Sequence, residues 1–336
     1  MSNIIKLIDG EGGRATSRLV RELFLARFGN PLLEPLNDSA IADYSGKLAF
    51  TTDGFVVDPL EFPGGDIGKL AVCGTVNDLA AAGARPIMLS AAFILEEGLE
   101  IARLKKYVDS MAAAADEAQV PIACGDTKVV PRGNGDGLYI TTAGVGSVFV
   151  EPAPSPRLIC SGDTIVISGP IAQHAATVVA VREELHTDGY GNSSLKSDCA
   201  PLSEMVLRAA EAIGEIHAMR DPTRGGLGGI LIELAQQAGK KFIIEEATIP
   251  VEKPVENICE LYGYDPLFMA CEGRMVFIIH RAKADKLIKT LSAHRYGRDA
   301  RKIGRVEDGE GVVLITKSGG KRRLVPPEGA PLPRIC

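Results

Sequence analysis

Four prolines fall within the last eleven residues, Pro326-Pro327-Glu328-Gly329-Ala330-Pro331-Leu332-Pro333-Arg334-Ile335-Cys336. Each fixes φ and removes a backbone donor, so helix is excluded and an extended, polyproline-like, flexible arm is expected outside any core. Eleven extended residues reach roughly 35 Å. The arm ends on a thiol. Such a group can enter a pocket on its own chain and then be presented to another protein.

The remaining 325 or so residues are enough for two domains, each burying its own core. A net charge of −6 without a basic block argues against nucleic acid as a partner. Every apolar run is broken by Gly, Pro or charge, so no membrane span is expected. Met1–Lys6 lacks the apolar centre of a signal peptide. The seven cysteines (73, 124, 160, 199, 259, 271 and 336) are scattered, with no C-x-x-C. That usage suits a reducing cytoplasm and supplies neither a disulfide framework nor a zinc site.

Proline at every second position in Glu151-Pro152-Ala153-Pro154-Ser155-Pro156 marks a boundary, giving domains at 1–150 and 157–325 and a tail at 326–336. Before it, Leu48–Thr52 and Phe55–Asp58 read as short strands, Pro86–Leu95 as an apolar strand, and Ile67–Gly83 and Ile101–Gln119 as helices. Pro121–Cys124 and Leu138–Phe149 are β-rich. After it, Asp163–Ser168, Arg274–His280, Ile303–Val306 and Val312–Thr316 read as strands, and Ala172–Glu184, Leu227–Ala238 and Ala282–Ala293 as helices. Two mixed α/β domains are the expected fold. Asn30–Lys47, Val129–Gly137 and His186–Asp198 are expected to be mobile loops.

Two phosphate signatures nearly fit. Gly64-Gly65-Asp66-Ile67-Gly68-Lys69-Leu70 resembles a Walker loop, but the first glycine is one residue too close and Leu70 replaces the Ser/Thr. Gly10-Glu11-Gly12-Gly13-Arg14-Ala15 has dinucleotide spacing, yet Asn30–Asp38 does not read as the second strand of that unit. A glycine loop opening a helix, here Thr16–Phe28, can still cradle phosphate through Gly12 and Gly13.

The larger signal is a set of carboxylates at element ends beside small residues: Thr52-Asp53-Gly54, Asn77-Asp78 within Gly74–Gly83, and Gly125-Asp126-Thr127-Lys128. Several Asp beside water and phosphate oxygens suit Mg²⁺, although each alone reads as a cap or turn residue. Arg220-Asp221-Pro222-Thr223-Arg224-Gly225-Gly226 opens a helix, and Arg224 can clamp a phosphate. Glu272 precedes the apolar strand and reads first as an exposed strand-end carboxylate; if buried, its pKa would rise into the range of a general base.

In this order, Gly-Glu-Gly-Gly, Thr-Thr-Asp, Phe-Pro-Gly-Gly-Asp-Ile-Gly-Lys-Leu, Gly-Thr-Val-Asn-Asp-Leu-Ala, Cys-Gly-Asp-Thr-Lys-Val-Val, Asp-Pro-Thr-Arg-Gly-Gly, Cys-Glu-Gly and Pro-Arg-Ile-Cys resemble the carbamoyl dehydratases of hydrogenase maturation. These sit within the aminoimidazole-ribonucleotide synthetase-like ATP-binding superfamily. The similarity runs from about residue 9 to the end. It implies a homodimer formed through the N-terminal domains, Mg²⁺ and ATP between domains, and a thiol carbamoylated by the transferase HypF. ATP-dependent dehydration to a thiocyanate follows, and the cyano group passes to iron on a HypC–HypD scaffold. Carried over by motif, Asp53, Asp78 and Asp126 are metal ligands. Gly12, Gly13, Lys69, Asn77, Thr127, Asp221 and Arg224 bind the nucleotide, Lys128 is the cation, Glu272 the base and Cys336 the carrier. Asp9 stands where this family's pattern has His.

Other readings are a selenophosphate synthetase, a kinase of a small phosphorylated substrate, and a non-enzymatic carrier with a degenerate ATP fold. The first wants a reactive Cys near the N-terminal glycine loop, and none lies in residues 1–72. The second has no need of a terminal thiol. Prenylation needs Cys four residues from the end.

Overall fold

Alternation of small apolar residues with longer ones makes the first half a sheet with one buried face. A computed structural model describes residues 3–11, 13–34, 39–40, 42–185, 195–327 and 332–336. Its first half contains α1 (Gly13–Leu19), a π-helical continuation (Val20–Leu25), α2 (Ala26–Phe28), β1 (Leu48–Phe55), β2 (Glu61–Phe62), β3 (Gly65–Asp66), α3 (Ile67–Ala81), β4 (Ala84–Glu96), α4 (Ile101–Ala118), β5 (Ile122–Val130) and β6 (Leu138–Val148). Four of these strands form a sheet of order β1-β6-β4-β5, in which only the β4–β5 pair is parallel.

Side chains alternate between faces along each strand, so register decides what meets. Asp53 is level with Thr142, Ala91 and Gly125, on the face covered by α3. Asp126 is level with Ala92, Thr141 and Gly54, on the other face. That second face is open, and Phe50 on it is 71% exposed.

The second half contains β7 (Asp163–Ile167), α5 (Gln173–Arg182), α6 (Ser203–Ile213), β8 (Ala218–Arg220), α7 (Gly226–Ala238), β9 (Lys241–Glu245), α8 (Lys253–Tyr262), β10 (Val276–His280), α9 (Ala284–Ser292), β11 (Arg301–Glu307), β12 (Gly311–Ile315) and β13 (Lys321–Arg323). Its sheet runs β13-β12-β9-β11-β7-β10-β8, with only β9–β12 parallel. Mixed sheets in both halves agree with the expected class. Helices α6 and α8 and strands β8, β9 and β13 add to the elements expected from sequence.

Two expectations change. Phe55–Asp58 is not a strand of the sheet, because β1 ends at Phe55. Its backbone pairs instead with the end of the chain: Val56 N–H donates to a terminal oxygen of Cys336 (3.1 Å) and Asp58 N–H to the Arg334 carbonyl (3.2 Å). The tail is also not wholly outside the core. Pro326 and Pro327 are exposed, but Ile335 is buried and joins the main apolar cluster. The prolines keep the arm extended, and Ile335, with partly buried Leu332, supplies apolar area worth burying.

Within Ile4–Ile8, before the glycine loop, is a single bridge (Ile4 to Glu100) that runs into a 3₁₀ turn, not the strand of a dinucleotide unit. Gly10 packs on β5, where a Cβ would come within 2.5 Å of Val129 N. Asp9 is buried and accepts from Lys6 N–H, a capping role. Gly12, the span 186–194 within the expected His186–Asp198 loop, part of the Asn30–Lys47 loop and tail residues 328–331 lie outside the described residues.

Candidate active site around the C-terminal thiol

A cavity of about 400 Å³ separates the two halves. Its walls include Asp53 from the end of β1, Asp78 from α3, Asp221 and Arg224 from the turn before α7, Glu272 from the turn before β10, and Cys336 itself. Each position follows from local chemistry. Gly74 lets Phe55 close on α3, since a Cβ there would meet the ring at 2.9 Å. Asp198 accepts from the Glu272 and Gly273 amides (3.2 Å each), which fixes the turn carrying Glu272.

The cavity is rich in acid. Thr51 Oγ1 donates to Asp78 (2.7 Å), and Asp53 and Asp78 line the same cavity wall. Burial, then the Asp78 charge, push Asp53 up to about 6, with Arg224 opposing. Burial and the same Asp78 charge push Asp221 up to about 7. Glu272 is 2% exposed with one carboxyl oxygen unpartnered, and burial pushes it well above the usual range. The Cys336 thiol is pushed up to about 12, by burial first and the Glu272 charge second.

Acids this crowded fit a cation that neutralises them. Among the described residues no three His, Cys, Asp or Glu side chains already stand at ligand geometry, so this is not a closed cage. Mg²⁺ tolerates that, because it keeps waters and takes phosphate oxygens beside one or two carboxylates.

The structure does not bring all the expected residues here. Asp126 lies three strands from Asp53, roughly 14 Å at ordinary inter-strand spacing, and on the opposite face. It pairs instead with exposed Lys128 (2.8 Å), and that bond holds its carboxyl below the ordinary range. Strand alternation thus removes both from the trio and the cation role within one chain. Thr127 is buried on the other face and, with Asp126 at the rim, lines a second cavity beside the α1–α2 segment. Asn77, one residue and about 100° around α3 from Asp78, faces the other half. It donates to the Ala200 and Glu272 carbonyls (3.1 and 3.3 Å) and accepts from Leu202 N–H, tying the halves together. Lys69 bends back onto the Gly64 carbonyl, and Asp66 caps its amide. Gly13 begins α1.

Four residues at the tail carry no motif: His174, Arg182, Ser197 and Asp198. The only signal was a histidine within an apolar helical run, Ala175–Val181 following it.

A site of acids and a guanidinium between two α/β halves defines an ATP-using class, and the chain matches AIR synthase related protein, N-terminal domain over residues 36–148 and C-terminal domain over 161–317. It is 46% identical over 339 residues to carbamoyl dehydratase HypE of Cupriavidus necator, covering 100% of this chain and 95% of that one. A crystal structure of hydrogenase maturation protein HypE in complex with ATP superposes with a TM-score of 0.94 at 44% identity, covering 98% and 99% of the two chains. The HypE chain of a HypE–HypF complex gives 0.80 at 42%, covering 92% and 99%. This chain belongs to the HypE carbamoyl dehydratase family.

Proposed function

We propose that the chain dehydrates an S-carbamoyl group on its own Cys336 to a thiocyanate, using ATP, to supply a cyanide ligand for hydrogenase iron. The observation that carries this is the terminal thiol seated among Asp53, Asp78, Asp221, Arg224 and Glu272.

The amide oxygen of R–S–C(=O)–NH₂ is a poor leaving group. Its attack on the γ-phosphorus of ATP forms an O–P bond, breaks the bond to ADP and, with loss of one N–H proton, gives R–S–C(=NH)–O–PO₃²⁻. Loss of the remaining N–H proton then expels phosphate and leaves R–S–C≡N. Glu272 is the group placed to take a proton near the thiol. Arg224 stabilises charge on the transferring phosphate. Asp53, Asp78 and Asp221 would hold Mg²⁺, which neutralises phosphate charge and favours the ionised carboxylates.

The thiol's raised pKa makes it a weak nucleophile while docked, so carbamoylation belongs to the undocked tail on a HypF-type partner. Delivery to a HypC–HypD scaffold and a reducing cytoplasmic setting complete the reading. The open sheet face, with Leu48, Phe50 and Ile94 exposed, supports a homodimer through the N-terminal halves. The test is intact mass after incubation with the transferase, carbamoyl phosphate and ATP. Gain of a carbamoyl group followed by loss of water is expected. A carbamoyl adduct that persists with ATP present refutes the dehydratase step.

A further inference from the structure

The tail is gripped by its backbone, through side chains that no chemical step uses. His174, on α5, is 0% exposed, and both its ring nitrogens are committed. Nε2 lies 2.6 Å from the Ile335 carbonyl oxygen and Nδ1 lies 2.8 Å from Ser197 Oγ. A carbonyl only accepts, so Nε2 carries the proton and Nδ1 accepts from the Ser197 hydroxyl. Ser197 Oγ in turn accepts from Cys199 N–H at 3.0 Å. Phe62 closes edge-on against the imidazole, with centroids 5.1 Å apart. About two turns further along α5, Arg182 donates to the carbonyls of Asp58 and Arg334.

This receptor is joined to the base. Ser197 serves the imidazole, and the next residue, Asp198, holds the amides of Glu272 and Gly273. Cys271, on the other side of Glu272, accepts through sulfur from Ala172 N–H at the start of α5 (3.1 Å). The tail seat and the base are therefore mounted on the same short segments.

We propose that His174, supported by Ser197, is the positioning residue that holds the tail in register for dehydration by donating to the Ile335 peptide carbonyl. This rests on the reading of Cys336 as carrier. When the tail leaves, the Nε2 proton loses this acceptor, so the bond favours the docked tail by the net worth of one buried hydrogen bond. Because the grip is on backbone, it tolerates whatever group the thiol carries.

The test uses the full chain and needs neither ATP nor transferase. Alkylation of Cys336 by N-ethylmaleimide is followed at the C-terminal peptide by mass spectrometry. Losing one buried hydrogen bond should speed labelling roughly tenfold in His174→Leu. His174→Gln, which keeps an N–H donor, should stay within about twofold of wild type, which a merely space-filling role does not require. Labelling of His174→Leu at the wild-type rate overturns the proposal, as does a glutamine variant that behaves like leucine. Should His174→Leu fail to fold, Ser197→Ala takes its place: faster labelling supports the proposal and an unchanged rate overturns it. With ATP and transferase added, His174→Leu should still accept carbamoyl groups and dehydrate them more slowly. Absence of dehydration in wild type itself refutes the function and leaves the labelling result standing.

Discussion

Two Asp-bearing motifs on one sheet end in opposite environments. Asp53 closes β1 among Asp78, Asp221 and Glu272, where burial and neighbouring acids raise its pKa to about 6. Asp126, near the middle of β5, is exposed, paired with Lys128 and held below its ordinary range. Motif spelling is alike, but parity along the strand differs. One residue of offset turns a group that wants a cation into one that already has its own.

The largest effect is expected at the thiol. Cys336→Ala should retain Mg–ATP binding by calorimetry and form no thiocyanate by intact mass. One added Ala should impair dehydration severely, because the terminal carboxylate occupies the Val56 amide. Normal dehydration by the extended chain would show that the pocket is open beyond the terminus. Next, Glu272→Gln should slow dehydration by roughly 10²–10⁴, the usual range for a proton-transfer group, while carbamoylation proceeds. A near-normal rate removes Glu272 from the mechanism.

The comparison sharpens with Lys128. Within one chain it is absent from the acid cluster, so any chemical role must be played in a second copy. Lys128→Ala should then be inactive alone, yet co-assembly with Glu272→Ala should restore about a quarter of wild-type activity, since half of randomly formed pairs carry one intact site. Full activity of Lys128→Ala alone removes it altogether.

The smallest effect is on stability. Asp221 and Asp53 bind protons in the folded chain up to about pH 7 and about pH 6, whereas unfolded Asp releases them near 3.8. The folded form holds more protons in that window, so stability should fall as pH rises from about 4 to 7. A drop of a few degrees in Tm, reduced in Asp221→Asn, is expected by calorimetry. A flat profile would mean that burial and the neighbouring charge do not raise these two acids.

The amphipathic helix α4 and the continuous apolar runs of α3, β7 and β10 were legible in the sequence. Asp53, Asp78, Asp221, Arg224, Glu272 and Cys336 do converge on one cavity. Asp126 and Lys128 were misplaced because a motif does not state which face its residues take; only register with β4 does that. Lys69 and Asn77 have structural partners that their motifs do not announce, because polar residues in a small-residue helix can serve structure as well as ligand. The rise in the thiol's pKa comes from burial and then Glu272, neither of which the tail sequence displays. His174 escaped notice because its acceptor is a peptide carbonyl 161 residues away, and no side-chain pattern records such a bond.

The pairing of residues 334–336 with 56–58 has a kinetic meaning. A substrate joined to its own catalyst has an effective concentration fixed by the chain, not by the solution. Dehydration should therefore be first order and unaffected by dilution, with no KM for the thiol. Saturation should appear only for ATP and for the proteins that load and unload the arm.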